Sequence, residues 1–289
     1  MKRVSIYMVC SLLMAVVSSC SKSDHNTEKG LAVALSLAHA DGINDVTLWA
    51  FDVEGVLRQE YNFASPKELT SKLLDIPSGK YTVVAASNLT GSFAYTTSMG
   101  TTRIEELLAT INNASSSPSH SHYGVATVDV ATNGISYAHV SLTRSMAEFC
   151  FTVTDVPAEV VSAKLEVINS TKGYYPGVAR LHNETATVDF GQITPSNGKL
   201  EFETKRLLPI TSSATRSDDL KTMLRMTMVY TNGGILVFDI ETPALQNSGI
   251  YAPEVTYSMF RPGVVIGITP INGWVELPPI NGEILNPTN

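Results

Sequence analysis

Two pairs of polar side chains have the residue types and the spacing that chemistry requires. On a strand, His120-Ser121-His122 would place two imidazoles on one face, where they could bind a metal ion. Asp218-Asp219 offers two carboxylates, the groups that glycoside hydrolysis uses. The histidine pair follows a serine-rich stretch, and the acid pair lies in the polar segment 211–219. We therefore expect both pairs in solvated loops, and we expect no metal, no cofactor and no catalytic centre.

Cysteine usage leaves one thiol in the folded part of the chain. The three cysteines are Cys10, Cys20 and Cys150. The first two belong to the N-terminal signal described below, so Cys150 remains alone and cannot form an internal disulfide. It falls in Glu148-Phe149-Cys150-Phe151, an alternating strand pattern. That pattern favours a buried small hydrophobic side chain over a catalytic thiol.

Aromatic side chains are a further kind of candidate site, because they stack on sugar rings or anchor protein contacts. Tyr174-Tyr175-Pro176-Gly177 fits such a use. A Pro-Gly turn flanked by tyrosines is also common as ordinary packing, and the sequence leaves both interpretations open. Trp49 and Trp274 lie within strand-like patterns, which predicts that both belong to the core.

The N-terminus carries the clearest functional signal. A basic start precedes an apolar run over residues 4–17, which is shorter than the ~20 residues of a membrane span. The small residues Ser18-Ser19 then stand directly before Cys20. A charged start, a short apolar core and small residues make a secretion signal, and a cysteine in this register matches the bacterial lipobox. We expect residues 1–19 to be a lipoprotein signal peptide and Cys20 to be the lipidation site, with diacylglyceryl and palmitate attached; the alternative is a plain secretion signal with an incidental cysteine.

A lipid on Cys20 would hold the protein on a membrane. One acyl chain binds membranes marginally, whereas two or three chains bind firmly. Residues 20–30 are polar, which predicts a flexible tether between the lipid and the fold. Asp24 and Glu28 faintly resemble the acidic export signal of Bacteroidales surface lipoproteins. We therefore expect a protein that is lipid-anchored in the outer membrane and displayed on the cell surface.

Composition disfavours a nucleic-acid partner. The formal net charge is −7, and the sequence contains no basic stripe that could meet phosphates. Charged residues make up 16% of the 289-residue chain. That low share, together with many Ser, Thr, Val and Ala residues, is typical of an exported β protein.

Short strand patterns dominate residues 31–277. Residues 46–61 and 220–240 each predict a hairpin, the second one turned at 231–234. One helix is predicted over 102–112, because the spacing of Thr102 and Glu105 suits a capping box and apolar residues follow at helical intervals.

About fifteen strands and one short helix indicate an all-β chain of two consecutive sandwiches. We place the boundary near Thr143-Arg144-Ser145, which gives an N-terminal domain over 31–144 and a C-terminal domain over 145–289.

Several of these features coincide in one known family. The lipobox at Cys20, the strand 46–51, the turn Ile76-Pro77-Ser78-Gly79-Lys80-Tyr81 and Leu142-Thr143-Arg144-Ser145-Met146-Ala147 resemble the fimbrial anchor lipoproteins of Bacteroidales, which are relatives of the fimbrillins. The resemblance implies two tandem transthyretin-like β-sandwich domains. It also implies a non-enzymatic protein that anchors or caps a fimbria (pilus) and contributes to cell adhesion.

The same resemblance implies the partners. Fimbrillin-like subunits join by strand addition, in which main-chain hydrogen bonds supply the affinity, and the outer membrane is reached through the lipid on Cys20. No residue other than Cys20 carries over as a site. Between Cys20 and Val46 the basic residues are Lys22 and Lys29, with no arginine. This disfavours a stalk subunit matured by arginine-specific cleavage and favours a retained anchor.

Two alternatives remain open. The chain could be a glycan-binding surface lipoprotein of a nutrient-uptake system, which should show clustered exposed aromatics; an esterase or glycosidase would need motifs that the sequence lacks.

The C-terminal stretch 263–277 has two interpretations of its own. It could be a mobile strand that fills a groove in a neighbour, or a permanent closing strand of its own sheet.

Overall fold

The computed structural model describes residues 29–37, 42–209, 222–242 and 245–260. Strands make up most of this part of the chain, with one short α-helix, so the predicted all-β class is confirmed. The elements in chain order are β1 (Gly30–Leu37), β2 (Val46–Phe51), β3 (Leu57–Phe63), α1 (Pro66–Thr70), β4 (Gly79–Ser87), β5 (Phe93–Tyr95), β6 (Ala109–Ile111), β7 (His122–Val130), β8 (Ile135–Arg144), β9 (Ala147–Thr154), β10 (Val160–Thr171), β11 (Gly173–Tyr175), β12 (Arg180–Leu181), β13 (Thr185–Ile193), β14 (Leu200–Leu207), β15 (Met223–Tyr230), β16 (Ile235–Glu241), β17 (Ile250–Tyr251) and β18 (Glu254–Thr256).

β2 is a central strand of the N-terminal half, by which we mean the described residues up to 144. It pairs antiparallel with both β3 and β4, and all six of its residues are buried. Val46, Leu48 and Ala50 face one core, whereas Trp49 and Phe51 face another. Both faces of the strand are therefore covered by protein, which explains its nearly continuous apolar sequence.

The N-terminal sheet has the order β1-β8-β7-β4-β2-β3 and folds over on itself. β8 pairs with β7 near Arg144 and crosses it closely at Gly124, where a Cβ atom would lie 2.2 Å from the carbonyl oxygen of Ser141. A glycine in a strand commonly marks such an approach of two backbones. β8 then pairs in parallel with the whole of β1, and its Ala138 and Val140 share a core with β4. The result is a two-layered sandwich.

The C-terminal half, by which we mean the described residues from 145 to 260, forms a second sandwich. Its larger sheet has the order β13-β10-β15-β16, and its smaller sheet joins β14 to β9, with β17 and β18 on the other edge of β9. Phe149, Phe151, Leu165 and Met226 are fully buried between the two sheets. β9 alternates buried and partly exposed residues along its length, as expected of a strand with one face in the core.

A fourth sheet, made of short strands, joins the two halves. Its order is β12-β11-β6-β5, and the residue pairs Gly173–Thr110 and Tyr174–Ala109 connect β11 to β6. Beneath it, Tyr174 and Leu208 of the C-terminal half share a core with Trp49 and Phe51 of β2. Strands from both sides of the predicted boundary at 143–145 therefore share one sheet and one hydrophobic core.

The helix predicted over 102–112 is wrong. Residues 104–106 form one 3₁₀ turn, and β6 follows at 109–111. Leu107, Ala109 and Ile111 are buried at every second position, and this two-residue period places them in the core that contains Trp49 and Phe51. Apolar residues at 104, 107, 108 and 111 satisfy the helical period equally well, so tertiary pairing of β6 with β5 and β11 decides the structure.

The short α-helix lies instead at Pro66–Thr70. The Ser65 hydroxyl accepts a hydrogen bond from the backbone of Glu68 at 3.2 Å, and the Glu68 carboxylate accepts one from the backbone of Ala64 at 2.9 Å. With Pro66 in the first turn, these contacts form a capping arrangement at the N-terminus. Leu69 is the buried residue of the helix.

The two predicted hairpins are confirmed as β2–β3 and β15–β16. β18 ends at Thr256, and a 3₁₀ turn occupies Tyr257–Met259. The segments 1–28, 211–219 and 263–277, for which predictions were made above, lie outside the described residues.

Candidate functional site

The strand that follows the predicted tether is fixed firmly to the fold. Cys20, the signal peptide and nearly all of the tether 20–30 lie outside the described residues. β1 comes next, and its Leu31, Val33 and Leu35 are buried. The backbone N–H of Leu31 donates to the carbonyl oxygen of Leu74 at 2.9 Å. Together with the parallel pairing to β8, this bond fixes the start of β1 on both sides.

A serine-rich loop, residues 112–121, contacts the C-terminal half. The Ser115 hydroxyl accepts a hydrogen bond from the backbone N–H of Asp189 at 2.9 Å, and its carbonyl oxygen accepts one from the Lys205 ammonium. The Ser117 hydroxyl accepts from the backbone N–H of Arg206 at 3.0 Å. The prediction of a solvated loop therefore holds only in part, because four of the loop residues are exposed whereas oxygens of Ser115 and Ser117 are acceptors for donors of β13 and β14.

Next to this loop, a charged cluster joins the halves. His120 Nε2 donates to Glu148 Oε1 at 2.7 Å, and Arg206 Nε lies 3.7 Å from the same carboxylate oxygen. The His120 and Glu148 side chains are 14% and 25% exposed. Burial lowers the pKa of His120, and the hydrogen bond to Glu148 opposes that shift in part. This cluster is a structural joint between the end of the loop and the strands β9 and β14.

His122 lies in the interior rather than in a loop. It is 2% exposed, and a 3.0 Å hydrogen bond joins its Nδ1 to the Ser87 hydroxyl. Its Nε2 is buried with no hydrogen-bond partner in the described part of the chain. Burial, with a smaller contribution from nearby His120, lowers the pKa of His122 to about 4. The imidazole is therefore neutral at physiological pH.

The two imidazoles do not form a metal site. His120 bonds to Glu148 across the joint, whereas His122 bonds to Ser87 on β4. In the described ranges, no group of three His, Cys, Asp or Glu side chains could hold a metal ion. The acid pair Asp218-Asp219 lies outside those ranges.

The tyrosine pair divides between core and surface. Tyr174 is 3% exposed, with its ring centroid 5.8 Å from that of Phe93 and 5.4 Å from that of Tyr123. Burial raises the pKa of Tyr174 to about 12. Tyr175 is partly exposed, but the Arg180 guanidinium lies 4.4 Å from its ring centroid and covers one face. Tyr174 is therefore packing, and Tyr175 has at most one free face for a ligand.

Two further candidates belong to the framework. Trp49 is fully buried, as predicted, and Trp274 lies outside the described residues. Cys150 is a free cysteine but only half-buried, which corrects the prediction of a buried side chain. It lies on the outer face of β9, whereas its neighbours Phe149 and Phe151 point into the core on the other face.

Several residues of the joint were missed at the level of sequence. Glu148, which contacts His120, lies 28 residues after it in the sequence, and Arg206 lies farther along the chain. Ser87, which contacts His122, precedes it by 35 residues. No local pattern marks such pairs. A serine-rich loop beside two strands rich in donors is the one signal that the sequence offers.

The family model for the fimbrillin-A associated anchor proteins Mfa1 and Mfa2 matches residues 23–276. The chain belongs to this family. The family model describes anchor proteins that are associated with a fimbrillin. No curated protein matches the chain.

Solved structures share the fold. The fimbrial anchor protein Mfa2 from Porphyromonas gingivalis is 15% identical, with a TM-score of 0.58, over 84% of this chain and 98% of that chain. A protein from Bacteroides thetaiotaomicron, provisionally assigned to polysaccharide binding, is 14% identical, with a TM-score of 0.57, over 80% and 93% of the two chains. A provisionally assigned cell adhesion protein from Bacteroides eggerthii is 16% identical, with a TM-score of 0.53, over 80% and 86%. At these identities the likeness concerns the fold.

The described residues include no helix that is long and apolar enough to cross a membrane.

Proposed function

We propose that this chain is a lipid-anchored protein of the outer membrane that holds or caps a fimbria, with Cys20 as the site of lipid attachment. The observation that carries the proposal is the family match over 23–276, which begins three residues after the lipobox cysteine. A segment that reads as a lipoprotein signal is thus followed directly by the body of a fimbrial anchor protein.

β1 supports this role mechanically. A pull from a lipid on Cys20 would reach the fold first at Gly30, the start of β1. β1 pairs in parallel with β8 at every residue from Gly30 to Leu37. When such a pair is pulled along its length, the hydrogen bonds share the load and do not open one after another. Burial of Leu31, Val33 and Leu35 adds side-chain packing to that resistance.

The contacts between the two halves would transmit a pull on β1 to the C-terminal half. The fourth sheet, the serine-rich loop and the His120–Glu148 pair connect the two sandwiches through backbone and side-chain bonds. A subunit that docks on either half would therefore be coupled to the tethered strand. We infer that the halves act as one body between membrane and fimbria.

Contact with fimbrillin-like subunits would use strand addition. Edge strands carry backbone N–H and C=O groups that can pair with a strand from another chain, so main-chain hydrogen bonds provide the affinity and few side-chain signatures are needed. In the described part of the chain, the sandwiches end at edges such as β3 and β14. This mode explains why no single residue cluster marks the contact.

Replacing the lipidated cysteine tests the anchoring step. Cells producing Cys20→Ala are expected to incorporate no labelled palmitate into the protein and to lose it from the membrane fraction. Cys150→Ala is the matched control, because it removes the half-exposed cysteine of β9 and should leave both readouts unchanged. If Cys20→Ala is still labelled and still sediments with membranes, Cys20 is not the lipid site.

The alternative of a glycan-binding surface lipoprotein has less support from the described surface. Such proteins present clustered aromatic rings, whereas Trp49 is fully buried and one face of Tyr175 is covered by Arg180. Tyr137, which is 76% exposed on β8, is a single aromatic side chain rather than a cluster. The Bacteroides thetaiotaomicron protein assigned to polysaccharide binding shares the fold, which by itself does not transfer a ligand.

A further inference from the structure

β16 is an edge strand with an unusually apolar surface. It pairs with β15 on one side and ends the sheet β13-β10-β15-β16 on the other, so its second edge has no strand partner in the described part of the chain. The consecutive residues Ile235, Leu236 and Val237 are 61%, 49% and 55% exposed. An exposed apolar edge of this kind pairs readily with another strand. A native protein normally covers it.

The hairpin fixes which backbone groups face the free edge. The backbone N–H of Tyr230 donates to the carbonyl oxygen of Gly234 at 2.9 Å and closes the β15–β16 turn. Hydrogen-bonded and non-hydrogen-bonded pairs alternate along an antiparallel ladder. Leu236 and Phe238 therefore bond to β15, whereas the N–H and C=O groups of Ile235 and Val237 point away from it.

The described chain ends beside this edge. After β18, on the smaller sheet, the 3₁₀ turn Tyr257–Met259 leads to Phe260, which is 7% exposed. The Phe260 ring packs against Phe238 of β16 with the ring centroids 5.3 Å apart. The chain thus crosses from the edge of one sheet to the edge strand of the other, and the last described residue, Phe260, lies against β16.

We propose that residues 264–268 of this chain add to the free edge of β16 as its fifth-strand partner. Arg261-Pro262-Gly263 provides the short connection, and a Pro-Gly pair suits the turn that such a connection requires. The sequence Val264-Val265-Ile266-Gly267-Ile268 is uncharged and rich in β-branched residues. Five residues span about 17 Å of strand, which is enough to cover the exposed stretch 235–237.

This pairing assigns the C-terminal stretch to its own sheet. Of the two interpretations that the sequence leaves open, it selects the closing strand over the strand that fills a neighbour. The β16 edge is then protected against aggregation, and a fimbrial subunit adds at another edge. The proposal does not depend on lipidation of Cys20 or on the identity of the subunits.

Amide hydrogen exchange of the full mature chain tests the pairing residue by residue. In the parent protein we expect the amides of Ile235 and Val237 to exchange slowly, like those of Leu236 and Phe238. Ile266→Pro, which disrupts a strand at 264–268, should speed exchange at Ile235 and Val237 by at least about tenfold and leave Leu236 unchanged. Ile284→Pro is the matched control outside the proposed strand, and it should change none of these rates.

Three results would overturn the proposal. Ile235 and Val237 could exchange freely in the parent, which would show an empty edge. They could stay protected in Ile266→Pro, which would assign the protection to another segment. Their protection could rise with protein concentration, which would indicate a second copy on β16.

Cross-linking keeps the test decisive if Ile266→Pro unfolds. Val237→Cys combined in turn with a cysteine at each position from 264 to 268, in a Cys150→Ser background, should give an intramolecular disulfide in at least one variant. Monomeric protein with no such disulfide in any of the variants would contradict the pairing.

Discussion

Protonation of His122 should make the fold sensitive to acid. The imidazole is 2% exposed, has one hydrogen bond to Ser87 and lies near His120. Because burial depresses its pKa to about 4 in the folded chain, against ~6.5 in the unfolded chain, the unfolded state binds the proton more tightly. The stability from neutral His122 is therefore complete above pH ~6.5 and is lost as the pH falls from ~6.5 toward 4.

The magnitude follows from the size of the shift. A difference of about 2.5 pKa units corresponds to ~3 kcal/mol of unfolding free energy at 1.36 kcal/mol per unit. His122→Asn retains a polar group near Ser87 and removes the titration. We expect the parent to lose up to ~3 kcal/mol more than His122→Asn between pH 7 and pH 4.

Urea unfolding at several pH values, followed by tryptophan fluorescence and circular dichroism, measures this difference. His139→Asn is the control, because His139 is exposed on β8 and its replacement should leave the pH profile close to that of the parent. Equal losses of stability in the parent and in His122→Asn would refute the assignment of acid sensitivity to the buried imidazole.

Two further substitutions test the joint and the strand crossing. Glu148→Gln removes the charge that His120 and Arg206 share, and should lower the unfolding free energy by about 1–3 kcal/mol; Glu201→Gln on the exposed side of β14 should change it little, and equal effects would contradict a structural role for the joint. Gly124→Ala places a Cβ atom 2.2 Å from the Ser141 carbonyl oxygen and should cost ~1–3 kcal/mol or more in thermal unfolding. Gly91→Asn, in open space at positive φ, should cost less, and a Gly124→Ala protein as stable as the parent would show that β7 and β8 do not cross closely there.

Most strands could be predicted from the sequence, because the spacing of their apolar residues shows which face of the strand is buried. The alternation in β9 and the hairpin β15–β16 are examples. In the stretch 104–111, the spacing of the apolar residues does not decide the structure. Its apolar residues fit both a helix and a strand, and the pairing of β6 with β5 and with β11, which lies more than 60 residues later, decides between them.

Other misses have different causes. The sequence Ser65-Pro66-Lys67-Glu68 has the residue types of a helix N-terminus. The helix that follows has only five residues, which are too few to show a helical period of apolar residues. The serines that precede His122 predict a solvated side chain. Its burial depends on Ser87 of β4, which is distant in the sequence. Such contacts depend on the topology, which a local pattern does not contain.

The location of the fimbriae themselves measures anchoring most directly. In cells that produce Cys20→Ala in place of the parent chain, fimbriae should be shed into the medium, and the soluble variant should co-purify with them. Cells with Cys150→Ala should keep their fimbriae bound. If fimbriae remain on Cys20→Ala cells in the same amount as on parent cells, this chain does not hold them to the membrane through a lipid on Cys20.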